Sequence, residues 1–93
     1  MLKNWVYEPL VSYYDSLLFY NSISRYKDPY SYKPIAIAKR EEIGLKYRFL
    51  CVAVPKEATQ PTSHFALIEI YKSEKGMPYI TRLHRISSDH FLD

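Results

Sequence analysis

Leu45–Val54, LKYRFLCVAV, decides the reading of this chain. It is the longest run of β-favouring residues, with Gly44 before it and Pro55 after it, the length and punctuation of a central strand. Period-two alternation puts Leu45, Tyr47, Phe49, Cys51 and Ala53 on one face and Lys46, Arg48, Leu50, Val52 and Val54 on the other. The C-terminal half is apolar on both sides. Such a strand needs neighbours at both edges and a layer packed on it, and the flanking segments have to supply them.

Working outward, Arg40–Gly44 reads as a turn in which Gly44 takes a positive φ. Pro34 introduces a short strand, Ile35–Lys39. On the other side Lys56–Thr62, KEATQPT, reads as a polar loop. Ser63–Lys72, SHFALIEIYK, and Pro78–Ile86, PYITRLHRI, follow as third and fourth strands, joined at Glu74-Lys75-Gly76 with Gly76 expected to be left-handed. A two-residue loop places Glu69 opposite Arg82 and Ile68 opposite Leu83; a three-residue loop places Ile68 opposite Arg82. Pairing charge with charge and apolar with apolar favours the first by roughly 0.2–1 kcal/mol per pair. Pro78, which has no amide hydrogen, marks the fourth strand as an edge.

Towards the N-terminus, Leu10, Val11, Tyr14, Leu17 and Leu18 recur at helical spacing. Ser12, Asp15, Ser16 and Ser22 fall on the opposite side. The helix is expected from Pro9, suited to a first turn, to about Ser24. Residues 1–8 read as an extended arm, and Arg25–Pro34, RYKDPYSYKP, as a loop. In the tail SSDHFLD, Phe91 and Leu92 are expected to close one end of the core. The expected fold is therefore α+β: one N-terminal amphipathic helix packed on a four-stranded antiparallel sheet, in the order α-β-β-β-β.

Composition fits one small domain spanning residues 1–93. A hydrophobic fraction of 47% with 25% charged residues argues against disorder. The net charge of +3 is dispersed and tilts towards anionic partners without demanding one, and it disfavours a DNA mimic. The single cysteine, Cys51, excludes an internal disulfide; in the most apolar part of its strand it is expected to be an inert thiol. Cys51, His64, His84 and His90 have no metal-ligand spacing, and two glycines are too few for a phosphate loop. No metal or cofactor is expected. The longest apolar run, Phe49–Val54, is far too short to span a membrane, and the chain reads as cytoplasmic.

The unusual feature is the 16% of aromatic residues, ten of them tyrosines. The candidate binding set is Arg25, Tyr26, Lys27, Tyr30, Tyr32 and Lys33, where rings alternate with cations. Such a set can anchor a protein interface or stack bases while neutralising phosphates. The structural alternative is that two of the rings fold back onto the sheet. A secondary candidate surface is Arg82, His84 and Arg85, with Glu69 and Tyr79 nearby. Histidine with arginines can serve metal-independent RNA cleavage, but nothing in the sequence fixes their mutual geometry. The expectation is thus a non-enzymatic binding module with a protein partner. The alternatives are a single-stranded nucleic-acid binder and, behind it, a small ribonuclease; self-pairing into a homodimer through an edge strand is a further variant.

Overall fold

The computed structural model describes residues 4–57 and 63–86. Among them lie one helix, α1 (Tyr13–Ile23), and five strands: β1 (Val6–Glu8), β2 (Tyr30–Glu41), β3 (Leu45–Pro55), β4 (His64–Lys72) and β5 (Tyr79–Ile86). All neighbouring pairs are antiparallel, in the spatial order β1-β2-β3-β4-β5. The class is α+β as expected, with β3 at the centre of the sheet. The strand count and order are corrected: the sheet has five described strands rather than four, and a strand precedes the helix. Part of the expected arm, Val6–Glu8, pairs with Ile37–Lys39 of β2. The expected role of Phe91 and Leu92 lies outside the described residues.

The helix is rotated from its expected orientation. Ser12 rather than Pro9 sets its start, because the Ser12 hydroxyl accepts the amide of Asp15 at 3.1 Å and satisfies an otherwise unpaired first-turn donor. Its buried residues are Asp15, Leu18, Phe19 and Ser22, with Val11 and Ile23 packed against the core. Leu10, Tyr14 and Leu17, three members of the expected stripe, are exposed. Burial of the two polar residues is possible because both are compensated: Asp15 pairs with Lys39, and the Ser22 hydroxyl donates to Leu18 O at 2.8 Å.

The face of β3 carrying Tyr47, Phe49, Cys51 and Ala53 is sealed beneath the helix, where it meets Ile37 of β2 and Ala66, Ile68 and Ile70 of β4. Phe19 and Phe49, both fully buried, pack with ring centroids 4.9 Å apart. Complete burial of such a side chain contributes roughly 1.5–3 kcal/mol.

Strand β2 is longer than Ile35–Lys39. Tyr30–Pro34, expected to be loop, pairs with Cys51–Pro55, and this long-range ladder overrides the local turn signals. Asp28 makes the entry turn, its Oδ1 accepting the Tyr30 amide at 2.9 Å. Pro34 is tolerated because β1 covers only Ile37–Lys39, which leaves the outer edge at Pro34 without a described strand. The register shifts beside it, with Ile35 as the extra residue.

The β4–β5 hairpin contains both expected registers. Glu69 faces Arg82 and Ile68 faces Leu83, whereas nearer the turn Ile70 faces Ile80 and Tyr71 faces Tyr79. Thr81 is the extra residue at the shift, and its hydroxyl donates to Glu69 O at 3.3 Å. Strand β5 lies at the sheet edge. Gly44 has the positive φ expected, at 115°, and a Cβ there would sit 2.6 Å from Lys72 O. Gly76 does not: positive φ among the described residues is confined to Ile43 and Gly44.

Candidate functional site

The segment after α1 crosses the helix-bearing face of the sheet and is fastened at Asp28. That carboxylate, 4% exposed, accepts a hydrogen bond from the Tyr32 hydroxyl at 2.9 Å and pairs with Arg85 of β5 at 2.6 Å, besides holding the Tyr30 amide. The Arg85 guanidinium also lies 5.2 Å from the centre of the Tyr30 ring, whose edge-to-face partner is His64 at 4.7 Å. Burial first, and the Asp28 carboxylate second, push the Tyr32 hydroxyl up to about 12, so it stays a neutral donor.

Above this clasp is a cavity of about 480 Å³ whose walls carry Tyr20, Tyr26, Tyr30 and Tyr32, with Lys27 and Lys56 among the lining residues. Three of its four tyrosines, together with Lys27, belong to the candidate set read from the sequence. The members of that set differ in exposure and in place. Tyr32 is buried, and Tyr30 is half-buried, so two rings do fold back onto the sheet. Lys33 points away, since strand alternation puts it on the opposite face from Tyr32. Arg25 donates to Pro78 O and faces Met77 Sδ at 4.0 Å, fastening the end of α1 to the β4–β5 hairpin.

The secondary surface divides. Arg85 joins the clasp under the cavity, whereas Arg82 and His84 are on the other face of the sheet. There, with Arg48, Leu67 and Glu69, they line a smaller cavity of about 170 Å³. Glu69 Oε2 accepts two hydrogen bonds from Arg48, at 2.9 and 3.1 Å. Arg48 in turn lies 4.2 Å from the centre of the Trp5 ring, and Arg40 lies 4.9 Å from it.

Sequence reasoning missed Asp28, Tyr20 and Lys56. The Asp28-Pro29 dipeptide signals a turn, but its pairing with Arg85, 57 positions away, leaves no local trace. Burial raises the Cys51 thiol to about 12, which keeps it protonated and unreactive. Among the described residues no three His, Cys, Asp or Glu side chains could hold a metal ion, and no helix is long and apolar enough to cross a membrane. Compared with known proteins, the chain matches no family model, no curated protein and no solved structure.

Proposed function

We propose that this chain is a small non-enzymatic binding module that holds a protein partner in the tyrosine-lined cavity beside α1. The supporting observation is the convergence of Tyr20, Tyr26, Tyr30 and Tyr32 on one concavity of about 480 Å³. Tyrosine provides a large, stiff contact area with a hydroxyl to orient it, the pattern of interface anchors. The clasp beneath supports the same reading, because rings held in place before binding lose little entropy on contact.

Single-stranded nucleic acid at this cavity is the second reading. It is less well served there, since Arg85 already faces Asp28 and Lys33 is on the opposite face, leaving Lys27 and Lys56 as the lining cations. Self-association is a variant supported by the outer edge of β5, which carries no described strand; a light-scattering mass of one chain would dismiss it.

The test replaces exposed rings, so that the fold is spared. Tyr20→Ala and Tyr26→Ala, at positions 47% and 41% exposed, are expected to abolish capture of a partner that wild-type protein retains. Capture should persist as salt rises, whereas a phosphate-dominated contact would weaken steeply. A partner held equally by both variants would refute the proposal.

A further inference from the structure

The two faces of the sheet differ in chemistry. On the helix-bearing face the central residues Phe49, Cys51, Ala66 and Ile68 have no exposure at all. The opposite face has no described helix over it, and its central residues Leu50, Val52 and Leu67 remain half-exposed. The pairing register assigns Lys33, Arg40, Lys46, Arg48 and Arg82 to that face, against a single strand carboxylate, Glu69. Arg48 compensates Glu69 and Arg40 pairs with Glu42 at 2.8 Å, whereas Lys33, Lys46 and Arg82 make no ion pair among the described residues, so the face is left with net positive charge.

Flat rings lie between these cations. Trp5 lies against Arg40 and Arg48, and Tyr7, beside Ala38, is 71% exposed. Tyr71 and Tyr79 stand across from each other at the far edge, with ring centroids 5.8 Å apart. Between the two groups is the cavity of about 170 Å³ lined by Arg48, Leu67, Glu69, Arg82 and His84, in which Arg48 holds the Glu69 carboxylate and Arg82 makes no ion pair among the described residues.

We infer that this open face binds single-stranded nucleic acid, with bases stacked on its rings and backbone phosphates held by Lys46 and Arg82. Four inter-strand gaps separate β1 from β5, about 19 Å in all, so the platform accommodates several consecutive nucleotides. Base–aromatic stacking contributes about 1–3 kcal/mol per base and tolerates any sequence. An antiparallel sheet offering rings and cations from one face is a general solution to this problem. An acidic protein would satisfy the charge as well, so competition by polyglutamate serves as the opposing arm of the test.

The probes are fluorescein-labelled oligouridylate and oligothymidylate of about 12 nucleotides, within the range of single-strand site sizes. Anisotropy should rise on titration with the intact chain, and the fluorescence of Trp5, the one tryptophan, should be quenched in parallel. Affinity should fall with salt at a slope of about −0.7 per phosphate contact; Arg82→Ala and Lys46→Ala should each weaken binding about fivefold at 0.1 M salt and flatten that slope. Tyr26→Ala, in the cavity on the other face, should leave binding unchanged, which separates this inference from the proposed protein contact. No anisotropy change at low salt, or binding indifferent to both Arg82→Ala and Lys46→Ala, would overturn it. So would displacement by polyglutamate as efficient as displacement by unlabelled oligonucleotide, which would mark a surface for acidic protein.

Discussion

Lys39 Nζ lies 2.8 Å from Asp15 Oδ2, an ion pair that links β2 to the first turn of α1 at the border of the core. The partners are unequal: the Asp15 side chain is 2% exposed and the Lys39 side chain 30%. Lys39 also has Glu8 at 3.7 Å. Removing the lysine therefore leaves a carboxylate buried and uncompensated, whereas removing the carboxylate leaves an ammonium with water and a second acid. Lys39→Ala is expected to destabilise by about 3–5 kcal/mol, the range for breaking a buried pair, and Asp15→Asn by clearly less. Urea unfolding of the two variants checks the order; equal losses would mean that the pair does not fix the rotation of α1.

Alkaline unfolding should follow the buried thiol and the buried tyrosines. For Tyr32, burial and then the Asp28 hydrogen bond raise the hydroxyl from 10.0 to about 12, and burial raises Tyr47 as well. Lys39 shifts in the same direction: burial alone would lower it, but the Asp15 carboxylate together with Glu8 and Tyr47 outweighs burial. A group raised on folding contributes its full stability below its unfolded value and loses it as pH rises towards the folded value. Burial also raises the Cys51 thiol from 9.0 to about 12, so stability should be level up to about pH 9, begin to fall there through the thiol, and fall more steeply between about 10 and 12 as the tyrosines join it. Tyr32→Phe should make that fall shallower while costing about 1 kcal/mol at neutral pH. Denaturant midpoints measured across this range test both statements.

The parts of this fold that were legible are those in which local pattern and long-range pairing agree. Leu45–Val54 is β-favouring, bounded and central, and the expected Glu69–Arg82 register is found, although Glu69 takes its ion pair from Arg48 rather than from Arg82. What escaped depends on distant partners. Hydrophobicity ranks Leu10, Tyr14 and Leu17 above Asp15 and Ser22, yet Lys39 and the Leu18 carbonyl make the polar pair the buried ones. Tyr30–Pro34 has the composition of a loop and becomes strand because Cys51–Pro55 offers it a ladder. Once it is strand, alternation separates Lys33 from Tyr32, and the single aromatic-basic set read from the sequence divides between two faces.

The contact of Arg48 with Glu69 should behave as a coupled unit. The Glu69 side chain is 11% exposed and receives both Arg48 bonds on one oxygen. Arg48→Met alone removes both bonds to that carboxylate, leaving Arg82 across the strand as its neighbouring cation, and should cost about 1.5–3 kcal/mol. Adding Glu69→Leu should recover most of the loss, because two apolar side chains of similar volume suit the neighbouring Leu67 and the Trp5 ring. A double-mutant cycle in guanidinium chloride gives the coupling directly. A double variant no more stable than Arg48→Met would show that Glu69 owes its stability to other partners.

Ile43 is the residue at which a substitution should improve the fold. It sits at the tip of the β2–β3 turn with φ 46°, and 96% of its surface is exposed. A β-branched residue in the left-handed region is strained by contact of its Cβ with the backbone, and this one gains almost no burial in return. The turn conformation itself is held independently of the side chain, by the Glu42 amide donating to Gly44 O at 3.1 Å and by the Tyr71 hydroxyl donating to Ile43 O. Asparagine tolerates the left-handed region and can retain both bonds. Ile43→Asn is therefore expected to stabilise by about 1 kcal/mol, which for a domain of this size raises Tm by about 4–8 °C. A thermal scan showing Tm unchanged or lowered would mean that the exposed isoleucine contributes a contact that offsets its strain.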